Sequence, residues 1–326
     1  MRKVLWVVIG VLVAVPLLLL GALFALTPRV QAASTETVER TPARIARGEY
    51  LARHVSGCVD CHTAHDYSRR GAPETGPLGA GGFCLREEDG FPGHLCSANI
   101  TSDRTAGVGA WTDGELLRAI RDGVDRDGHA LFPMMPYEKF SHLGDEDLRS
   151  IVAYVRTLPP SPKVTPPKHL RFPLSVLIRL APKPVTAQVP PPSPSNTLAY
   201  GEYLTTAAAC EDCHTPTDKG KPLPGMRFAG GQLMKGPWGT VRTANITPDD
   251  ATGIGRMTRA QFVARFQAMA ALPSDQPAPA TGQSVMPWSA YGGMTAQDLG
   301  SVYDYLRTIP KVHHAVQAFE EPHAER

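Results

Sequence analysis

The chain has 326 residues, of which 42% are hydrophobic and 20% charged, and its formal net charge is +2. This composition is that of a folded protein and excludes a disordered polar chain. The near-neutral charge gives no basis for binding nucleic acid. The length predicts about two domains.

An apolar run at residues 4–26 follows Arg2 and Lys3. A membrane-spanning helix needs about 20 such residues, whereas the apolar part of a signal peptide has about 7–15. We therefore predict an anchoring transmembrane helix within residues 1–30. A removed signal peptide is the alternative, because residues 30–32 resemble a cleavage site. The positive charges place the rest of the chain on the periplasmic side of the bacterial cytoplasmic membrane.

The pattern Cys-x-x-Cys-His occurs at residues 58–62 and again at residues 210–214. It is the attachment signature of c-type haem, in which two thiols form thioethers to the porphyrin and the next histidine binds the iron. One helical turn presents both sulfurs along one porphyrin edge. The pattern predicts two covalently bound haem c groups. Their predicted ligands and attachment points are Cys58, Cys61 and His62, and Cys210, Cys213 and His214.

The remaining cysteines are Cys84 and Cys96. Haem c is attached on the outer, oxidising side of the membrane, where cysteines form disulfides. We therefore expect a Cys84–Cys96 disulfide. The alternatives are two free thiols or a metal site that includes His94.

Both haem signatures lie in a repeated pattern. The shared segments are Gly-Glu-Tyr-Leu at 48–51 and 201–204, Asn-Ile-Thr at 99–101 and 245–247, and Met-Pro at 135–136 and 286–287. From Met-Pro onward the copies align without a gap to Pro159 and Pro310. The period is too long for a solenoid, so the pattern indicates two homologous domains.

These repeats and the prolines between them set the predicted boundaries. We expect an anchor at 1–30, one cytochrome c domain at 42–160, a Pro-rich linker at 161–196, a second domain at 197–312 and a tail at 313–326. The prolines predict a stiff, extended linker. Its apolar segment at 172–180 is too short to cross a bilayer, and we expect it to pack on a domain.

Apolar residues at helical spacing dominate both repeats. Leading helices are expected at 44–55 and 198–209, middle helices that begin near Thr112 and Thr258, and closing helices that proline ends. The predicted fold class is therefore mostly α, with two tandem class I cytochrome c domains and an N-terminal transmembrane helix.

Each haem iron needs a second axial ligand opposite its histidine. The second repeat has no histidine between His214 and His313, which leaves its methionines. Gap-free alignment places Met135 on Met286, each followed by proline. We predict that these two methionines ligate the irons.

Two other residues of the first repeat compete for this role. Met134 is one residue from Met135, and sequence alone does not separate the two. His129 lies six residues before Met135 and has no counterpart in the second repeat. Thioether ligation raises the reduction potential relative to two histidines, and it closes the coordination sphere to substrate.

Asn-Ile-Thr at 99–101 and 245–247 also matches the N-glycosylation pattern. Its recurrence at the same place in both repeats favours a structural role, such as a hydrogen-bonded loop near the haem.

Several segments together resemble one protein family. They are Phe-Ala-Gly-Gly at 228–231, Gly-Thr at 239–240, Asn-Ile-Thr-Pro-Asp at 245–249, Thr-Gly-Ile-Gly at 252–255, Ala-Gly-Gly at 80–82 and Leu-Phe-Pro-Met-Met-Pro-Tyr at 131–137. They resemble the cytochrome c subunits of bacterial membrane-bound alcohol, gluconate and aldehyde dehydrogenases. The resemblance implies an electron-transfer subunit that takes electrons from a dehydrogenase and delivers them to quinone or an oxidase.

The leading hypothesis is a membrane-anchored dihaem cytochrome c that relays single electrons and has no catalytic residues of its own. Its expected partners are redox proteins: a dehydrogenase, an oxidase or another respiratory complex. The alternative is a dihaem redox enzyme of the peroxidase or thiosulfate-oxidising type, in which one axial position is open or displaceable. Permanent association with a respiratory or photosynthetic complex is a third possibility.

Overall fold

The computed structural model describes residues 2–24, 27–218, 220–279 and 283–319, and in the first helix it describes the side chains of residues 3–6, 9–18, 21 and 23. The helices are α1 (Arg2–Phe24), α2 (Pro42–Tyr50), α3 (Cys58–Cys61), α4 (Asp113–Asp122), α5 (Tyr137–Phe140), α6 (Asp145–Val155), α7 (Leu174–Leu177), α8 (Thr197–Ala207), α9 (Cys210–His214), α10 (Arg259–Ala270), α11 (Trp288–Tyr291) and α12 (Ala296–Leu306). Helix α2 continues as a π-helical turn, Leu51–Val55, and short 3₁₀ turns occur at Glu87–Asp89 and Ile178–Leu180.

Short antiparallel strands accompany the helices. They are β1 (Ala64–His65), β2 (Glu74–Thr75), β3 (Cys84–Leu85), β4 (Gly93–Cys96), β5 (His169–Leu170), β6 (Thr217–Asp218), β7 (Lys221–Pro222), β8 (Leu233–Gly236) and β9 (Gly239–Arg242). They pair as β1–β2, β3–β4–β5, β6–β7 and β8–β9. These strands were not predicted from the sequence, because two to four residues are too few for a recognisable alternation.

The prediction of an N-terminal transmembrane helix is wrong. Across the described residues, the structure contains no helix whose length and apolar character together suffice to cross a bilayer. A crossing needs about 20 consecutive, mainly apolar residues. Residues 25 and 26 of the predicted apolar run lie outside the described residues.

In each repeat the leading helix crosses the closing helix: α2 packs against α6, and α8 against α12. The repeated glycine lies at the crossing. A Cβ atom on Gly48 would lie 1.7 Å from the carbonyl oxygen of Ser150, and one on Gly201 would lie 1.9 Å from that of Ser301. The recurring Gly-Glu-Tyr-Leu segment therefore reflects a backbone contact that excludes any side chain.

The predicted starts of the middle helices are confirmed. Thr112 and Thr258 each accept a hydrogen bond from the third residue of their helix, Glu115 or Gln261, whose side chain bonds back to the threonine N–H. Both helices thus begin with a capping box. Thr295 caps α12 by accepting from the Asp298 N–H.

The linker does not run as a free extended chain. Strand β5 adds to β4 and makes residues 169–170 part of the first repeat's sheet. Within the apolar segment 172–180, Val176 and Ile178 are buried, which fits the expected packing on a domain. The Asp145 N–H donates to the carbonyl oxygen of Val189, so a later part of the linker also contacts the first repeat.

Buried apolar residues from both repeats form one continuous cluster. Leu51, Leu148 and Ile151 of the first repeat belong to it together with Leu204 and Leu299 of the second. The predicted domains therefore share an apolar core, and their boundaries stay a prediction.

Cys84 and Cys96 are joined by a disulfide. They lie directly opposite one another where β3 pairs with β4. The bond closes the loop that connects these two strands in the first repeat.

We expect replacement of both cysteines by serine to lower the free energy of unfolding by about 3 kcal/mol. The disulfide joins residues 12 positions apart, and a bond that closes a loop of this length reduces the conformational entropy of the unfolded chain by an amount worth about that much. Chemical denaturation of the holoprotein measures the change. Reduction of the wild-type protein should give a similar loss, and equal stability of the oxidised wild type and the variant would contradict the expectation.

Candidate haem sites

Each Cys-x-x-Cys-His segment forms its own short helical turn, α3 or α9. Both turns follow a residue with left-handed backbone, Gly57 at φ 61° and Ala209 at φ 50°. That conformation ends the leading helix and starts a new turn in another direction. For Ala209 it costs about 1–2 kcal/mol, so the surrounding structure must hold it in place.

The four thiols of these segments are free. Cys58 and Cys210 are half-buried, whereas Cys61 and Cys213 are exposed. Because residues three positions apart share one face of a helical turn, each pair presents its sulfurs on the same side. Burial raises the pKa of Cys58 and of Cys210 to about 12.

The histidine of each signature is held through its Nδ1 atom. His62 Nδ1–H donates to the carbonyl oxygen of Ala98, and His214 Nδ1–H donates to that of Ala244, each over 2.7 Å. Burial lowers the pKa of both histidines, against the opposing effect of this hydrogen bond. A neutral ring with its proton on Nδ1 leaves the Nε2 lone pair for a metal.

The Gly-Gly segments bind the backbone of the same histidines. The Gly81 N–H donates to the carbonyl oxygen of His62, and the Gly230 N–H to that of His214, each over 2.7 Å. Both glycines have positive φ, and a Cβ on Gly81 would lie 2.6 Å from the carbonyl oxygen of Ser97. Only glycine satisfies both conditions without strain.

The Asn-Ile-Thr loops hold the carbonyl groups that the histidines need. Asn99 directly follows Ala98, is 2% exposed, and donates from Nδ2 to the carbonyl oxygens of Ser161 and Lys163. Its Oδ1 accepts from the N–H and hydroxyl of Thr101. The side chain is thus fully used within the fold, which supports the structural role over glycosylation.

The second repeat has the same arrangement. Asn245 Nδ2 donates to the carbonyl oxygen of Val312 over 2.8 Å, and its Oδ1 accepts from Thr247. In both repeats the chain that leaves the closing helix therefore returns to bind the Asn-Ile-Thr loop. The described part of the predicted tail, 313–319, continues along the second repeat, where the Arg242 N–H donates to Ala318, and residues 320–326 lie outside the described residues.

The two candidate methionines occupy matching places. Met135 and Met286 are half-buried, and each directly precedes a proline that begins a short helix, α5 or α11. Met135 packs against the apolar core, whereas Met134 is 41% exposed. His129 lies on a loop with its ring 3.5 Å from Asp125.

Some buried polar atoms near these segments have no hydrogen-bond partner among the described residues. They include the Ser56 hydroxyl, the Tyr137 hydroxyl and Trp238 Nε1. Tyr137 follows Met135-Pro136, and the Trp238 ring stacks on Phe83 beside the first Gly-Gly segment. Buried polar atoms normally find partners, and the carboxylates of a haem are suitable acceptors. The free thiols, the oriented imidazoles and these donors together fit a covalently attached haem.

No family model matches the chain. It is 30% identical over 297 residues to the "Alcohol dehydrogenase (quinone), cytochrome c subunit" of Gluconacetobacter polyoxogenes, which covers 86% of this chain and 59% of that protein. It is 32% identical over 234 residues to the "Fructose dehydrogenase cytochrome subunit" of Gluconobacter japonicus, and the match covers 68% of this chain and 45% of that protein. It is also 32% identical over 214 residues to a "Diheme cytochrome c-type" protein of Cereibacter sphaeroides, and this match covers 62% of this chain and 67% of that protein.

The chain belongs to this family of c-type cytochromes. The resemblance to dehydrogenase cytochrome c subunits is thereby confirmed, and haem c is the cofactor that the family implies. The cytochrome spans about half the length of the dehydrogenase subunits that it matches.

The residues through which the two repeats of this cytochrome meet were not predicted from the sequence. Tyr50, His54, Lys139 and Tyr203 each contact the other repeat. The tyrosine of the Gly-Glu-Tyr-Leu segment recurs at the same position in both repeats, which indicated that it has a role in each. Nothing in the sequence indicated that each tyrosine bonds across to the other copy.

Replacing Asn245 by alanine should lower the free energy of unfolding of the holoprotein by about 2 kcal/mol, because buried groups of Thr247 and Val312 lose their partner. Denaturant titration measures the loss. The control is Asn196→Ala, which removes the exposed N-cap of α8 and should cost about 1 kcal/mol. In addition, only Asn245→Ala should alter the haem absorption spectrum, because Asn245 adjoins the carbonyl that orients His214. An unchanged spectrum would show that the loop does not orient the histidine.

Proposed function

We propose that the protein is a dihaem cytochrome c that relays single electrons from a dehydrogenase, or another respiratory donor, to a downstream redox protein. The observation that carries the proposal is the duplicated site. Two sets of paired free thiols each adjoin an imidazole that is oriented by a backbone carbonyl. Each set accounts for one covalently bound haem c.

In the first site, Cys58 and Cys61 provide the attachment and His62 the proximal ligand. In the second site, Cys210, Cys213 and His214 do the same. A bound haem iron supplies one-electron chemistry by cycling between Fe(II) and Fe(III). The chain keeps each imidazole neutral and oriented, and the hydrogen bond to Ala98 or Ala244 increases its basicity as a ligand.

Met135 and Met286 are the proposed distal ligands. Their equivalent positions, their half-buried side chains and the proline after each support this assignment. The exposure of Met134 favours Met135 over its neighbour, because a distal ligand lies beneath the cofactor and out of solvent. Held by both histidine and methionine, a haem iron would transfer electrons and leave no position for substrate.

The proposed compartment is the periplasm. The Cys84–Cys96 disulfide supports it, since disulfides persist in oxidising compartments. The haem c signatures point to the same side of the membrane, where this cofactor is attached.

The proposed electron donor is a dehydrogenase. The names of the relatives support this role, since they are cytochrome subunits of alcohol and fructose dehydrogenases. We propose an oxidase or another respiratory redox protein as acceptor. Copurification after gentle extraction tests whether such a donor binds, and recovery of the cytochrome without any oxidoreductase would oppose a permanent complex.

Replacing Met135 or Met286 by alanine should remove the long-wavelength absorption band of methionine-ligated ferric haem at one site. The reduction potential of that haem should fall by on the order of 0.1 V or more, because axial ligands set haem potentials over about 0.8 V. Spectroelectrochemical titration measures both effects. Met134→Ala is the matched control and should retain the wild-type spectrum and potentials.

Cyanide and peroxide distinguish a relay from a dihaem redox enzyme. The wild-type protein should bind cyanide slowly and show no peroxide turnover, whereas Met135→Ala and Met286→Ala should bind cyanide rapidly. Rapid high-spin ligand binding at one haem of the wild type would instead support the enzyme.

A further inference from the structure

The tyrosine of the first Gly-Glu-Tyr-Leu segment reaches into the second repeat. Tyr50 Oη–H donates to Asp298 Oδ2 at a distance of 2.5 Å. The Tyr50 hydroxyl oxygen also accepts a hydrogen bond from the Thr295 N–H, at 3.1 Å. Thr295 and Asp298 form the start of helix α12. One hydroxyl group thus binds both the cap and the first turn of the other repeat's closing helix.

The second copy makes the same contact in the opposite direction. Tyr203 Oη–H donates to Asp147 Oδ2 over 2.6 Å and accepts from the Gly144 N–H over 3.1 Å. Tyr203 corresponds to Tyr50 in the repeat alignment, Asp147 to Asp298, and Gly144 to Thr295. The contacts are therefore reciprocal, as in an interface with approximate two-fold symmetry.

The hydrogen bonds of Tyr203 are buried, and that from Tyr50 to Asp298 is partly buried. Asp147 and Asp298 are 5% and 7% exposed, and Tyr203 is 7% exposed. Burial and the neighbouring carboxylates raise the pKa of both tyrosines, so each hydroxyl keeps its proton and remains a donor. Asp147 also accepts two hydrogen bonds from Arg47 of its own repeat, so the tyrosine contributes most to the carboxylate of Asp298. Loss of a donor by a buried carboxylate is costly, which opposes separation of the repeats.

The interface lies beside both haem signatures. Lys139, four residues after Met135, has its Nζ 3.2 Å from the carboxylate of Asp212, inside the second signature. His54, four residues before Cys58, donates from Nδ1 to the carbonyl oxygen of Ala290 over 3.0 Å, four residues after Met286. The segment after Met135 thus contacts the signature of the second repeat, and the segment after Met286 contacts a residue next to the signature of the first repeat.

We propose that the Tyr50–Asp298 and Tyr203–Asp147 pairs are positioning contacts that hold the two Cys-x-x-Cys-His segments in one relative orientation, so that electrons pass between the two sites within one molecule. This inference rests on the proposed relay function. In each transfer one electron leaves the reduced site and enters the oxidised site. No bond forms or breaks, and the tyrosine protons stay in place.

The test uses the double variant Tyr50→Phe/Tyr203→Phe of the full-length holoprotein. Flash photoreduction of one haem, followed at several protein concentrations, gives the rate of intramolecular electron exchange. We expect this rate to fall about tenfold, equivalent to about 1.4 kcal/mol in activation free energy. Pulsed electron paramagnetic resonance of the ferric protein should show a broader distribution of distances between the haems.

The matched control is Tyr154→Phe/Tyr305→Phe. These tyrosines lie on the closing helices and are 6% and 8% exposed. Their hydroxyls contact groups of their own repeat: that of Tyr154 contacts Arg53, and that of Tyr305 contacts Glu202 and Arg227. The control should retain the wild-type exchange rate and distance distribution.

Wild-type exchange and distances in Tyr50→Phe/Tyr203→Phe would overturn the inference, as would an equal change in the control. The single variant Tyr50→Phe keeps the Tyr203–Asp147 pair and should show an intermediate effect. It therefore tests the inference even if the double variant does not fold. Failure of the relay proposal gives a different result: the wild type itself would lack methionine-ligated spectra or intramolecular exchange, while the distance measurement would still report on the contacts.

Discussion

The hydrogen bond from each signature histidine to a backbone carbonyl oxygen, that of Ala98 or Ala244, sets the requirement that the surrounding structure meets. A carbonyl group can orient an imidazole only if its own loop is rigid. The Asn-Ile-Thr loop provides this rigidity because the asparagine binds the chain that returns from the closing helix. The Gly-Gly segment adds a second bond, to the backbone of the same histidine. In each repeat, segments that are distant in sequence therefore together orient one histidine ring.

Duplication of this unit has a second consequence. In each copy the tyrosine comes two residues after the glycine that allows the leading and closing helices to approach, so it lies on a different face of the leading helix from that crossing. When two copies pack with approximate two-fold symmetry, the same tyrosine meets the start of the other copy's closing helix. The same residue type at the same repeat position thus produces two interface contacts. Buried apolar residues of both repeats also belong to one core cluster.

Several sequence predictions followed from local chemistry and agree with the structure. The middle helices begin at Thr112 and Thr258 because a capping threonine acts on residues within the same turn. The prediction of an N-terminal transmembrane helix was wrong, since no helix among the described residues has both the length and the apolar character to cross a bilayer. The strands and the return of the linker as β5 escaped prediction, because their partners are distant in sequence.

The sequence by itself determined the two Cys-x-x-Cys-His signatures, the duplication and the matched positions of Met135 and Met286, because each depends on residue identity and short spacing. A thiol, an imidazole and a thioether have the same chemistry wherever they lie, and a helical turn fixes residues three or four positions apart. Only the tertiary structure decided that the two copies bind each other through Tyr50 and Tyr203. Tyr50 and Asp298 are 248 positions apart, and no local spacing rule connects residues at that separation. Their contact depends on how two complete repeats bury their remaining apolar surface.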